Sequence, residues 1–189
     1  WFFSSTVAHV HDRVEIWLDP FKPSVVDDKG YQIAQSLFAQ ADGGVLGQGF
    51  GQALLELPGG QTLLPAPHTD LIYSVITDEL GLVGACGVIV VYLLIAERGF
   101  RIATLARDSF SKLLATGLTA VFALQVFVIV GGVTRVIPLT GVTLPFVSYG
   151  GSSLVTTFIL LGLLVRLSSG QAPRAWRVRA GARPATGGD

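Results

Sequence analysis

Three stretches of this chain are long, apolar and almost free of charge, and a backbone of that kind has few stable homes. Crossing the ~30 Å hydrocarbon core of a bilayer takes ~20 residues of helix. The first stretch runs from about Leu71 to Ala96 and is uncharged from Leu80 onward. The second, Leu113 to Thr134, carries no charge and stops at Arg135. The third lies within the uncharged residues Val136 to Val165, but Pro138, Gly141, Pro145 and Gly150-Gly151 interrupt its first half. Residues 135–150 are therefore read as an extracellular or re-entrant loop, and residues 151–167 as the third span. Non-helical backbone at membrane depth needs protein or water to satisfy it. The fold class that follows is an all-α integral membrane protein, a polytopic helical bundle fragment with a long structured extracellular loop.

Composition excludes several functions. Only 14% of the residues are charged, against ~25% in ordinary soluble domains. That deficit argues against a freely soluble enzyme, a disordered segment, or a nucleic-acid binder, which would carry an excess of Lys and Arg. A single cysteine, Cys86, leaves no disulfide within the chain and no cysteine-based metal cluster. Residue 1 is Trp and methionine is absent, so the chain is expected to be the C-terminal part of a longer protein.

The distribution of charge sets an orientation. Between Trp1 and Asp70 the acids Asp12, Glu15, Asp19, Asp27, Asp28, Asp42, Glu56 and Asp70 outnumber Arg13, Lys22 and Lys29. Residues 97–112 carry Arg98, Arg101, Arg107 and Lys112, and residues 168–189 form a basic, Gly- and Pro-rich tail read as flexible. Two spans separate these basic segments, so they share one side, and the positive-inside rule makes it the cytoplasm. The C-terminus is then cytoplasmic and residues 10–70 face outward. Residues 1–9 become the outer end of a truncated transmembrane helix.

Sixty residues is long for a connector, and loops of that size tend to carry structure or function. Within it, Ile33, Ala34, Leu37 and Phe38 share a helical face over Tyr31 to Ala39, which suggests a short interfacial helix. Gly43-Gly44, Gly47, Gly49 and Gly51 read as close backbone packing. Gln52 stands where the dinucleotide fingerprint requires its third glycine, and no phosphate-loop Gly-Lys-Ser/Thr occurs. His9 and His11 lack a third zinc ligand, and Ser148 lacks an identifiable His/Asp pair for nucleophilic chemistry.

Carboxylates near the membrane are the stronger signal. Asp70 stands at the outer end of the first span, above a polar strip of Ser74, Thr77 and Gly81 at helical spacing. It reads either as a helix cap or as a general base able to take a proton from a hydroxyl. Asp78 and Glu79 lie deeper, where a charge costs ~2.5–3.5 kcal/mol. They read as structural or auxiliary acids, paired with Arg135 or with residues of other spans, or as catalytic groups.

An ordered series of motifs is similar to one known family. It begins with His11-Asp12-Arg13, Trp17-Leu18-Asp19-Pro20, Gly30-Tyr31-Gln32, Gln35-Ser36, Gly43-Gly44 and Gly47-x-Gly49-x-Gly51. It continues with Leu64-Pro65, His68-Thr69-Asp70 and Asp78-Glu79-Leu80-Gly81. It closes with Pro138-Leu139-Thr140-Gly141, Leu144-Pro145-Phe146 and Ser148-Tyr149-Gly150-Gly151-Ser152-Ser153. From about Val10 to Leu167 the chain resembles the SEDS family of RodA, FtsW and SpoVE, and Gly131-Gly132-Val133-Thr134-Arg135 with Arg107-Asp108-Ser109-Phe110 leans to the RodA branch.

The resemblance implies a multi-pass protein of the bacterial plasma membrane that polymerises lipid II into glycan strands during elongation or division. It implies Asp70 as the general base. Arg13 becomes a candidate for the substrate pyrophosphate or for loop structure, with His68, Thr69, Ser148, Gly150, Gly151 and Ser152 as further substrate-binding candidates. Helix start and packing explain the last residues equally well. Mg²⁺ or Mn²⁺ is an expected assistant to the departing pyrophosphate, although no complete metal site is visible, and no organic cofactor is expected. Lipid II, the bilayer and a class B penicillin-binding protein are the implied partners, with no nucleic acid. The family commonly has Glu-Glu where this chain has Asp78-Glu79, which shortens the reach of residue 78. This part alone is expected to be inactive. The alternatives are a flippase for lipid-linked precursors and a non-catalytic scaffold of the elongation or division machinery.

Overall fold

A computed structural model describes residues 13–22, 30–51 and 70–170. The expectations for residues 1–9, for His9, His11, His68 and Thr69, and for the tail from residue 171 fall outside these segments. The described residues form a short helical segment over 13–18 and four helices: α1 (Tyr31–Gly43), α2 (Ile72–Leu105), α3 (Ser109–Val133) and α4 (Gly151–Gly170). No strand occurs among them.

Helices α2, α3 and α4 hold the apolar stretches, and each supplies a segment long enough to cross a bilayer, of 34, 25 and 19 residues. The first passes the expected end at Ala96 and runs on through Arg98 and Arg101 to Leu105. Charge marks where a helix leaves hydrocarbon, whereas its hydrogen-bond ladder stops only at a breaker or a cap. The expected loop over 97–112 therefore shrinks to a turn at 106–108. Asp108 supplies the cap that starts α3 four residues before the expected Leu113, its side chain accepting the Ser111 N–H at 2.7 Å. Residues 168–170, expected in the tail, continue α4.

The short turn makes α2 and α3 antiparallel neighbours. Near its middle the pair is joined by the Tyr92 and Phe122 rings, 5.9 Å apart. Nearer the 106–108 turn the helices close up where Gly99 faces buried Thr119, and a Cβ on Gly99 would come within 2.7 Å of Thr119 Cγ2. Thr119 bonds its hydroxyl to the Ala115 carbonyl of its own helix at 2.8 Å, so no polar group is stranded there.

One core gathers Leu71, Tyr73, Phe122, Ile129, Val133 and Leu144 where α2 begins and α3 ends. A smaller one joins Ala103, Ala115 and Leu164 at the opposite end. Many large apolar side chains on the spans stay exposed, among them Val90, Leu94, Leu124, Phe127, Phe158 and Ile159. Water would not tolerate that surface over such an area, but hydrocarbon does.

Candidate functional site

Asp70 stands just before α2, whose N-cap is Leu71 with no side chain bonded to the first turn. The capping reading of Asp70 is thus not realised. Its carboxylate lies instead against the loop between α3 and α4, where a Cβ on Gly141 would sit 3.2 Å from Asp70 Oδ2. Gly141 has φ 68°, a conformation that glycine adopts without the Cβ penalty.

Asp70 forms one wall of a cleft of about 250 Å³. Arg13 and Ile16 of the 13–18 segment, Gln32 and Ile33 of α1, and Leu139 and Gly141 of the α3–α4 loop complete it. A carboxylate and a guanidinium therefore share one partly apolar hollow. Arg13 is held there by its Nη1, which donates to the Leu139 carbonyl at 3.2 Å. Four residues further along the short helix, the Trp17 indole donates to the Arg135 carbonyl at 2.9 Å. Arg135 returns two bonds through Nη2, to the Trp17 carbonyl at 2.8 Å and the Leu18 carbonyl at 3.1 Å. The expected pairing of Arg135 with Asp78 or Glu79 gives way to this engagement with main-chain oxygens.

Asp78 and Glu79 belong to a different construction. At Gly81 the chain takes φ 67° and ψ −170°, which interrupts the α2 ladder. Main-chain groups on both sides of the break would be orphaned, and the glycine-rich loop after α1 takes up four of them. Gln48 N donates to the Asp78 carbonyl and Gly49 N to the Glu79 carbonyl, at 2.9 and 3.0 Å. Leu82 N and Val83 N donate to the Gly44 and Val45 carbonyls, at 2.9 and 3.2 Å. The Glu79 carboxylate fastens the same loop further along by accepting Gly51 N–H at 3.1 Å. Asp78 is buried at 5% exposure. Along the strip below Asp70, Ser74 and Thr77 are buried too, and a Cβ on Gly43 would overlap the Thr77 carbonyl. That strip packs against the protein's own backbone.

The remaining candidates lie elsewhere in the α3–α4 loop. Ser148 is buried, and its Oγ accepts the Leu144 N–H at 2.7 Å to close a turn. Gly150 faces Thr143 and Ser153, while Gly151 is exposed at the start of α4. Ser152 lines a second polar hollow with Gln125, Ser153, Thr156 and Thr157. Arg13 and Asp70 are thus brought together; Ser148, Gly150, Gly151 and Ser152 do not line their cleft. Gln32, Leu139 and Gly141 do, although the sequence does not single them out as site residues. The available signal is Gly141 in a loop that must turn sharply.

The described residues contain no group of three or more His, Cys, Asp or Glu able to hold a metal ion. Among them Asp70 is the only carboxylate lining the cleft, beside a guanidinium. That donor set does not by itself fit a divalent cation, which asks for several oxygen ligands.

The fold and site define a multi-pass helical membrane protein with a polar cleft, holding a carboxylate and a guanidinium, at one end of its bundle. The chain belongs to the FtsW/RodA/SpoVE family, described as cell cycle proteins, which it matches over residues 2–172. It is 50% identical over 171 residues to the peptidoglycan glycosyltransferase RodA of Mycobacterium tuberculosis, covering 90% of this chain and 34% of the relative. It is 38% identical over 156 residues to the stage V sporulation protein E of Bacillus subtilis, covering 82% and 41%. A solved peptidoglycan synthase complex, described as coordinating polymerization and crosslinking, superimposes with a TM-score of 0.64 at 31% identity, over 85% of this chain and 41% of that one. A crystal structure of an aspartate-to-alanine mutant of Thermus thermophilus RodA gives 0.53 at 36% identity, over 56% and 36%. The chain spans about a third of the length of its mycobacterial relatives.

Proposed function

We propose that the intact protein polymerises lipid II, with Asp70 as general base, and that it serves wall elongation more than division. The observation carrying this reading is the shared cleft of Asp70 and Arg13 at one end of an apolar bundle. The acceptor sugar hydroxyl enters the cleft and loses its proton to Asp70. Its oxygen forms a bond to the anomeric carbon of the donor. The bond from that carbon to the lipid pyrophosphate breaks on the opposite face, so configuration inverts, and the electron pair leaves on the pyrophosphate. Arg13 offsets the charge there, as a guanidinium binds phosphate through paired N–H donors. Apolar helices beside the cleft accommodate a polyprenyl chain.

Arg98, Arg101, Arg107 and Lys112, with Arg174, Arg177, Arg179 and Arg183 two spans later, support a cytoplasmic C-terminus and with it an outward cleft. The polymerising and crosslinking complex supports a class B penicillin-binding protein as partner. The 50% identity to RodA supports elongation. Among the described residues Asp70 brings the one carboxylate that lines the cleft, too few oxygen ligands to hold Mg²⁺ or Mn²⁺ alone.

The test measures glycan chains made from purified lipid II by the intact protein with its cognate penicillin-binding protein, the transpeptidase inactivated. Wild type should yield long chains and Asp70→Asn none at matched abundance. Equal products from both would remove Asp70 from the chemistry. Precursor crossing liposomes without polymer would favour the flippase, and neither activity would favour the scaffold.

A further inference from the structure

We propose that Arg135 is a positioning residue for the cleft: it clamps the end of the 13–18 segment and thereby sets where the Arg13 guanidinium stands opposite Asp70. The proposal rests on the reading of that cleft as the transfer site.

The helical residues 13–18 end at Leu18, and the last carbonyls of a helix have no partner within it. Those of Trp17 and Leu18 are both taken by Arg135 Nη2, and the Trp17 indole bonds back to the Arg135 carbonyl. Arg135 makes this exchange from φ 61°. A side chain in that region is uncommon and is held only when its surroundings impose it. Arg13 is tied to the same loop, where its Nη1 meets the Leu139 carbonyl at 3.2 Å. Arg13, Trp17 and Leu18 are thus all strapped to residues 135–139, and the cleft opens beside the strap. A cation here also suits the carboxyl end of α3 by charge alone. That simpler role needs neither the two Nη2 bonds nor the indole.

Two measurements on the intact protein separate these roles. The first is amide hydrogen exchange. Arg135→Ala should expose the amides of 13–18 while protection in α2 and α3 stays at the wild-type level. Trp17→Phe, which removes the indole donor and shrinks the ring, should act in the same direction and carries the test should Arg135→Ala fail to fold. Unchanged exchange at 13–18 in both variants overturns the proposal.

The second is polymerisation kinetics. Because Arg13 meets the charge that develops on the departing pyrophosphate, Arg135→Ala should lower kcat about tenfold with KM for lipid II changed less. Because the clamp acts through Arg13, Arg13→Ala/Arg135→Ala should match Arg13→Ala alone. Arg135→Lys keeps the charge but ends one atom short of the Nη2 position that bonds both carbonyls, and should retain most of the defect. A lysine variant at the wild-type level, or a double variant whose losses multiply, overturns the proposal. Loss of the cleft reading appears differently, as Arg13→Ala and Asp70→Asn that both polymerise normally. Exchange at 13–18 then still decides whether the clamp exists.

Discussion

Gly47 and Gly81 pack backbone against backbone, and both hold positive φ, at 80° and 67°. A Cβ on Gly81 would overlap the Gly47 amide nitrogen, and one on Gly47 would overlap the Glu79 carbonyl. With ψ at −170°, Gly81 occupies a region essentially reserved for glycine, where a side chain costs about 1–3 kcal/mol before any clash. Gly81→Ala should therefore lower the thermal unfolding midpoint in detergent by several degrees. Gly87 lies in the same helix with open space for 4 Å around the position a methyl group would take, so Gly87→Ala should be neutral or stabilising by up to about 1 kcal/mol.

Asp70 lends no hydrogen bond to the first turn of α2. Asp70→Asn should leave stability within about 0.5 kcal/mol of wild type, while polymerisation falls by at least about a hundredfold. Gly141→Ala tests the same contact from the other side. Its methyl group would stand 3.2 Å from Asp70 Oδ2, so turnover should drop with Asp70 intact, and the double variant should be no slower than Asp70→Asn.

Tyr92 reaches across to the α3–α4 loop, its buried hydroxyl donating to the Pro145 carbonyl. Tyr92→Phe keeps the ring against Phe122 but leaves that carbonyl unpaired, which should cost about 1–3 kcal/mol in chemical or thermal unfolding. Tyr149, 82% exposed in the same loop, is the comparison, and Tyr149→Phe should unfold as wild type does.

Asp108 titrates in a readable way. The Ser111 N–H holds its carboxyl below the ordinary value of 3.8. A group depressed on folding adds stability above its unfolded pKa and loses it as pH falls through the folded value. Amide protection in the first turn of α3 should therefore decline from about pH 4 downward. Asp108→Asn, which can still cap, should flatten that dependence.

The all-helical membrane architecture was legible because uncharged length is a sufficient signal for a spanning helix. Helix ends were less so: Arg98 and Arg101 look like a loop by charge, yet nothing between Glu97 and Leu105 interrupts a ladder. Of the site, the motifs carried Asp70 and Arg13 individually, whereas their convergence depends on a short helix tied to a loop more than a hundred residues away. No periodicity encodes that. Arg135 looked like a counter-ion for Asp78 or Glu79, since charge near buried acid suggests a pair. Its use on carbonyl oxygens follows from a helix ending at Leu18 whose last carbonyls had to be satisfied. Of the glycines read as close packing, Gly43 and Gly47 do meet backbone while Gly44 and Gly51 face open space; the partner of Gly47, the interrupted ladder at Gly81, lay in a stretch that hydropathy marks as continuous.

That interruption is bridged from both sides. The loop that follows α1 is sutured to the turns before Gly81 through Asp78 and Glu79 and to the turns after it through Leu82 and Val83. Leu71, Tyr73 and Val75 pack at the same time into one core with α3. Asp70 consequently stands where the loop layer and the membrane-spanning bundle are fastened together, so a displacement of α1 is shared with α3 before it reaches the carboxylate.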